Sequence, residues 1–308
     1  MSALPLISVV MPCFNAEKHI PAGTASVFGQ RYPNLELIAV NDGSTDNTLA
    51  LLQAIPDQRL KIINQANTGV CEARNQGILA AQGDLIAFLD ADDTWHPDCL
   101  TKLYQALAEA PSAALAYCGW QNIGLPGGQG LPYVPPDLEA GDKLTALFTN
   151  CCWPIHACLS QREAILSGGL FDKRLVTSED YLLWLKIASR HKIVRVPEVL
   201  AFYHFHGGAQ ATGNKAKTAL NHWQAQQLFI EENPDTAQQL GLEQCRRIMR
   251  HELLQRGMEC YWKRDLTAAR AIFRKVMRQG YGSLKDWKLM LPALLPYSLH
   301  RQLISLRD

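Results

Sequence analysis

Three carboxylates stand together at Asp90-Ala91-Asp92-Asp93, directly behind the unbroken apolar run Leu85-Ile86-Ala87-Phe88-Leu89. Such a run suits a strand buried on both faces of a parallel sheet. Acids crowded at its carboxyl end repel one another and lose hydration, a cost that a divalent cation between them relieves. Ligands of open α/β sheets bind just outside the carboxyl ends of the strands. The junction therefore reads as a metal site for a phosphate-bearing substrate. The plainer reading is a solvated loop capping a helix that begins within Thr94-Trp95-His96-Pro97.

Other groups invite the same double reading. Asp42 closes a second apolar run, and Gly43 permits a tight backbone there. The Ser44 and Thr45 amides at a helix start suit anions or ring oxygens, so Asp42 can accept hydrogen bonds from a pyrimidine or a ribose. Its alternative is an Asx turn. Arg74 follows Asn67-Thr68-Gly69 on the first turns of a helix. Its planar fork matches a diphosphate, or else makes a salt bridge. Gly77, mid-helix, costs about 1 kcal/mol against alanine, which close packing on the sheet would explain. Glu179 and Asp180 open a later helix. Adjacent helical carboxylates point in different directions, so one can take a proton while its neighbour caps or positions; the helix dipole alone also favours acids there. His206 ends the apolar run from Val199 to Phe205. Trp95 and Trp153 suit the core as readily as a sugar face.

The elements that position these groups alternate. Ile7 to Met11 reads as a strand that Pro12 stops, followed by a helix from Ala16 to Gln30. Leu35 to Val40 is the next strand, and Ser44-Thr45-Asp46 caps a helix reaching Ala54. Leu60 to Ile63, a helix from Val70 to Ala81, Leu85 to Leu89, a helix from Pro97 to Glu109 and Ala113 to Cys118 continue the pattern. Repeated β-α units mean a mainly parallel sheet flanked by helices. Gly124 to Pro136 is a long Gly- and Pro-rich loop, and Asp142 to Phe148 a short helix. A helix from Glu179 to Arg190 precedes strands at Ile193 to Val196 and Val199 to Phe205, and from Lys215 onward everything reads helical. We expect a catalytic α/β domain over residues 1–212 and a helical C-terminal region over 213–308.

The 308 residues carry a net charge of +1, which predicts no bulk attraction to nucleic acid. The charge is uneven: from Arg246 to Asp308 there are 14 Lys and Arg against 5 Asp and Glu, leaving 16 against 24 elsewhere. A basic tail on an acidic body suggests contact with something anionic, and a membrane surface fits. Within it Leu284, Trp287, Leu291, Leu294 and Leu295 recur at helical spacing beside Lys285, Lys288 and Arg301, while Pro292 and Pro296 predict two short pieces. The alternative is that these leucines pack inward. Nine scattered cysteines without a Cys-Xaa-Xaa-Cys pair suit small buried residues in a reducing compartment. The first residues lack the pattern of a secretory signal, and no apolar stretch is long enough for a spanning helix. The expectation is a cytoplasmic protein with peripheral membrane contact through the tail.

Taken in order, these residues resemble the family 2 glycosyltransferases. The resemblance rests on Pro12-Cys13-Phe14-Asn15, Asp42-Gly43-Ser44-Thr45-Asp46, Asn67-Xaa-Gly69 with Ala73-Arg74-Asn75-Xaa-Gly77, and Gly83-Asp84 leading to Asp93. Gly169-Leu170-Phe171-Asp172, Glu179-Asp180 ahead of Trp184, and Tyr203-Xaa-Xaa-His206 continue it, so that it covers roughly residues 5–210. It implies a GT-A-type fold and inverting transfer of a sugar from a nucleotide diphosphate, UDP above all, to an acceptor hydroxyl in polysaccharide or glycolipid synthesis. By this likeness Asp42 holds the base. Pro12, Cys13, Phe14 and Asn15 line the nucleotide, Arg74 faces the diphosphate, and Asp90-Ala91-Asp92 is the Asp-Xaa-Asp motif. Asp92, with Asp90 and His206 nearby, holds Mg²⁺ or Mn²⁺ across the phosphates. Asp180 is the general base, with Glu179 beside it. The family often carries Arg two positions before the late His, where this chain has His204.

The chemistry requires such parts independently. A departing diphosphate needs its charge neutralised, and an acceptor hydroxyl needs a base in line with it. A sugar-phosphate nucleotidyltransferase shares a similar sheet but needs a glycine-rich basic loop after the first strand, which Pro12 to Asn15 does not supply. A nucleotide-sugar-binding scaffold without turnover is the non-enzymatic alternative.

Overall fold

Strand direction decides where chemistry can be assembled in this chain. The computed structural model describes residues 4–125, 128–206 and 213–305. It forms two compact units, Met1–Gly208 and Ala209–Asp308; the expected boundary at residue 212 lies outside the described residues. In the first unit the order along the chain is β1 (Ile7–Cys13), α1 (Ile20–Phe28), β2 (Leu35–Asp42), α2 (Thr48–Gln53), β3 (Leu60–Gln65), α3 (Val70–Ala80) and β4 (Leu85–Phe88). Then come β5 (Thr94–Trp95), α4 (Cys99–Glu109), β6 (Ala113–Ile123), α5 (Lys143–Thr149), β7 (Cys158–Gln161), α6 (Arg162–Ser167), α7 (Glu179–Arg190) and β8 (Lys192–His204).

The strands make one sheet in the order β3-β2-β1-β4-β7-β6-β8-β5. β1, β2, β3 and β4 pair in parallel, as do β6 and β8; β7 is antiparallel to both β4 and β6, and β5 to β8. Two reversals across β7 restore direction, so every strand except β5 and β7 points the same way. The carboxyl ends of β1, β2, β4 and β8 therefore share one edge. The central strands are apolar on both faces: β1, β2 and β4 are buried throughout apart from half-buried Pro12.

The structure departs from the sequence reading where tertiary pairing overrides local signals. Pro12 does not stop β1. The Val10 carbonyl accepts from Leu89 N, so residues 10 and 12 face β4. β4 ends at Phe88, and past that point the N–H missing from Pro12 has no partner to disappoint. Thr94 does not begin a helix: Thr94 and Trp95 pair with Phe202 and Ala201. Pro97 restricts His96 to extended backbone, and α4 starts only after Asp98. The two expected strands between Ile193 and Phe205 are one, β8, with a register shift against Cys118 and Gly119 opposite Val196 and Val199.

In the second unit α8 (Lys215–Glu232), α9 (Pro234–Leu240), α10 (Leu242–Trp262) and α11 (Leu266–Arg278) precede α12 (Leu284–Met290), a 3-10 turn at Leu291–Leu294 and α13 (Tyr297–Ser305). α10 and α11 pack as a helical hairpin, and the prolines divide the tail as expected. All nine cysteines are free and seven are buried. No helix among the described residues is long and apolar enough to cross a membrane.

Gly77 packs α3 onto β1: a Cβ there would overlap Val10 Cγ1. Gly77→Ala should lower the stability of the first unit by about 1–3 kcal/mol through overpacking, despite the better helix propensity of alanine. Urea unfolding followed by tryptophan fluorescence measures this, and an unchanged or raised midpoint contradicts the packing argument.

Candidate active site

The loops after β1 and β2 are stitched together. Asn15, held at φ 49°, accepts from Thr45 N at 2.8 Å and donates its own N–H to Ser44 Oγ at 3.0 Å. Thr48 Oγ1 takes the Ala16 N–H at 2.7 Å, and Asp46 takes that of Glu17 at 3.1 Å. Cys13 is turned into the core, where burial pushes its thiol far above the usual range; Phe14 is exposed. Pro12 to Asn15 thus present backbone and one aromatic ring at the strand edge.

Asp42 is buried and shapes the loop that follows β3. Its Oδ1 accepts from Thr68 N at 2.9 Å and Gln65 Nε2 at 2.8 Å, and its Oδ2 from Gly69 N at 2.9 Å. A carboxylate offers about four lone-pair positions, so Oδ2 retains capacity for one more donor.

Arg74 is paired with two carboxylates. Its side chain is only 4% exposed. One guanidinium nitrogen donates to Asp90 Oδ1 at 2.7 Å and the other to Glu179 Oε1 at 2.5 Å. The Phe171 ring lies beneath, 5.5 Å from Cζ. The same face of α3 grips the segment ahead of α7: Asn75 exchanges two 2.9 Å hydrogen bonds with the Phe171 backbone, and Cys71 Sγ donates to the Leu175 carbonyl. Arg74 thus shares its charge between two carboxylates, at a depth where an unpaired guanidinium would be costly. Burial raises the Glu179 carboxyl above the ordinary carboxylate range despite Arg74, and the adjacent Asp180 charge adds to the rise. Asp180, half-buried, is raised by burial as well, with Arg74 opposing; its Oδ1 accepts from Tyr181 N at 2.7 Å.

The acidic run is divided among three basic side chains. Asp90 belongs to Arg74. Asp92 Oδ2 lies 2.9 Å from His206 Nε2, the two side chains being 30% and 26% exposed. Asp93 points inward, 1% exposed, with Oδ2 3.0 Å from His156 Nδ1 and Oδ1 accepting from His204 N at 2.9 Å. His156 in turn accepts at its carbonyl from Trp95 Nε1 at 2.6 Å. His204 bonds through its ring to Thr94 Oγ1, so His206, not His204, faces the acids. Ala91 is covered by α1, where a Cβ on Gly23 would sit 2.7 Å from the Ala91 carbonyl oxygen. Trp95 and Trp153 are both core residues.

Sequence reasoning missed His19 and His156. His19 precedes α1, and its ring lies 4.5 Å from that of His206. Burial and the neighbouring His206 lower its pKa, though Asp92 opposes the shift. Its place in the crossover after β1, at the strand edge, was the one available signal. His156 carried none, because a buried ion pair across distant segments leaves no spacing pattern.

Among the described residues no three His, Cys, Asp or Glu side chains converge as a complete metal cage. Asp92 and His206 do converge. A hard cation bound largely through substrate phosphates needs only one or two protein donors. The carboxylate suits Mg²⁺ or Mn²⁺, and the softer imidazole favours Mn²⁺ of the two. The pair fits such an ion.

Parallel strand ends with an Asp-Xaa-Asp turn at their shared edge are the arrangement of a GT-A-type fold. The model of glycosyl transferase family 2 matches residues 8–134. The putative teichuronic acid biosynthesis glycosyltransferase TuaG of Bacillus subtilis is 31% identical over 228 residues, 71% of this chain and 86% of the relative. The UDP-Glc:alpha-D-GlcNAc-diphosphoundecaprenol beta-1,3-glucosyltransferase WfgD of Escherichia coli is 31% identical over 235 residues, 74% of this chain and 88% of the relative. Among solved structures, the Pyrobaculum calidifontis mannosyltransferase PcManGT in complex with GDP-Man and Mn²⁺ superposes with a TM-score of 0.62 at 19% identity, covering 99% of this chain and 84% of that one. The chain belongs to glycosyl transferase family 2.

The Asp93–His156 pair should behave as a buried unit. Removing one partner strands the other, so His156→Gln or Asp93→Asn alone should cost about 3–5 kcal/mol. The double variant should cost less than the sum by at least ~1 kcal/mol. Additive losses in a double-mutant cycle of unfolding free energies contradict the pairing.

Proposed function

We propose that this glycosyltransferase moves a sugar from UDP to an acceptor hydroxyl with inversion, using Mg²⁺ or Mn²⁺, and that the acceptor is a lipid-linked or surface glycan. The observation that carries this reading is the Arg74 bridge. It locks the first turn of α7 against the end of β4, which brings Asp180 to the edge that holds Asp90 and Asp92. Glu179 is committed to Arg74, which leaves Asp180 as the base. A single base acting in one displacement gives inversion, the outcome that the family resemblance implies. A raised Asp180 carboxyl holds a proton more firmly than an ordinary aspartate, as a general base must. Asp42 Oδ2 is suited to the imide N–H of uracil, and the Pro12 to Asn15 backbone to the nucleoside. Asp92 and His206 would hold the divalent ion, which when bound supplies positive charge to the departing diphosphate. The donor and acceptor named for the E. coli relative support the choice of UDP and of a diphosphate-lipid acceptor. We assign the transfer chemistry to residues 1–212 and read 213–308 as an appended helical region. Absence of glycine and lysine from Pro12 to Asn15 disfavours a nucleotidyltransferase.

UDP-sugar turnover, measured with Mn²⁺ and in excess EDTA, tests the reading on wild type and Asp180→Asn. The variant should lose roughly 10²–10⁴-fold in kcat with UDP binding retained. The base must be ionised, so wild-type kcat should fall toward acid with a midpoint above the ordinary aspartate value of 3.8. Full turnover in EDTA removes the metal; lost UDP affinity with unchanged kcat makes Asp180 a binding residue.

A further inference from the structure

The second unit carries a concentrated apolar surface. Single exposed leucines are ordinary, but contiguous exposed apolar patches mark interaction sites. Leu284 is 85% exposed, and Leu291, Leu294, Leu295, Leu299 and Leu303 are each 37–53% exposed. All lie within the short span from α12 to α13, together with half-exposed Tyr297. The inward side is supplied by other residues: Met290, Ala293, His300 and Ile304 are buried. On α13 the pair His300 and Ile304 faces in, while Leu299 and Leu303, one position earlier, stay in solvent.

The leucine-bearing turn is held in place from behind. Arg270 Nε and Arg274 Nε each donate to the Ala293 carbonyl at 2.9 Å. Arg270 also reaches the Leu295 carbonyl, and Arg274 the Leu294 carbonyl at 3.3 Å. Two guanidinium groups thus cap the end of the 3-10 turn and fix Leu294 and Leu295 on its outer side. Beside the turn a cavity of 380 Å³ is lined by Arg270, Arg274, Thr267, Ala271 and Tyr297. Its size and charge suit a phosphate headgroup.

Charge names the occupant. Lys285, Lys288 and Arg301 are exposed around the patch. Asp286 is the sole acid between Leu284 and Ser305, and its carboxylate is occupied by Ser283. Cations ringing exposed leucines and a tyrosine complement an anionic bilayer, with the apolar side chains below the headgroups and the ammonium and guanidinium groups among them. A second copy of the chain would present the same cations to one another. We infer that the α12–α13 surface docks on an anionic lipid bilayer.

Co-sedimentation of the full chain with vesicles tests this, comparing phosphatidylcholine alone with a 7:3 mixture of phosphatidylcholine and phosphatidylglycerol. The expected result is binding to the mixed vesicles that weakens in 0.5 M NaCl. Lys285→Glu/Lys288→Glu/Arg301→Glu should weaken it by roughly 100-fold. Leu294→Ser/Leu295→Ser/Leu299→Ser alters only exposed side chains and should also abolish binding, with UDP binding unchanged. No binding to mixed vesicles at low salt, or equal binding by either triple variant, overturns the inference. So does a dimer in light scattering that the leucine variant dissociates, which gives the patch to a second copy.

Discussion

One buried guanidinium ties the catalytic unit together. Arg74 sits on α3, yet its two partners come from the end of β4 and the start of α7, the latter 105 residues away in sequence. Arg74 and Glu179 are buried too deeply to stand unpaired, while Asp90 is partly exposed. In a low-dielectric setting the three charges are mutually required: removing one leaves a buried ion whose desolvation is no longer offset. Asn75 and Cys71 fasten the same helix face to the segment before α7, so the ion pairs close a junction that hydrogen bonding has already aligned.

That junction explains how a run of acids can persist at a strand end. Asp90, Asp92 and Asp93 are not a shared pool of negative charge. Arg74, His206 and His156 each take one. Asp92 and His206 are both partly exposed, whereas Asp93 and His156 are fully buried. Asp93 does mechanical service instead, tying the turn after β4 to the end of β8 and so keeping His206 opposite Asp92.

Much of the frame was legible in the residues. Continuous apolar runs marked β1, β2 and β4, and the acidic first turn marked α7 to the residue. The family's motif order pointed to this strand edge, and the comparisons establish the family. The parts that were not legible share a physical cause. β5 and β7 are two and four residues long, and only their partners make them strands. Pro12 misled because its effect depends on whether a neighbouring strand is present beside it. The Arg74 pairing was not legible because a fork that matches a diphosphate also matches two carboxylates, and the second of these comes from a helix far along the chain. Leu294 and Leu295 had the spacing of any surface helix; only the capped turn behind them shows that they face out.

The central claim is that Arg74 positions the base and the Asp-Xaa-Asp turn as one unit and does not itself bind the donor. Arg74→Lys keeps the charge but cannot span both carboxylates. Steady-state kinetics with UDP binding measured in parallel is the direct test. The account predicts a fall in kcat of roughly 10²-fold or more, little change in UDP affinity, and no further loss on adding Glu179→Gln. A variant that turns over normally but binds UDP poorly would contradict it, and would make Arg74 a ligand of the diphosphate after all.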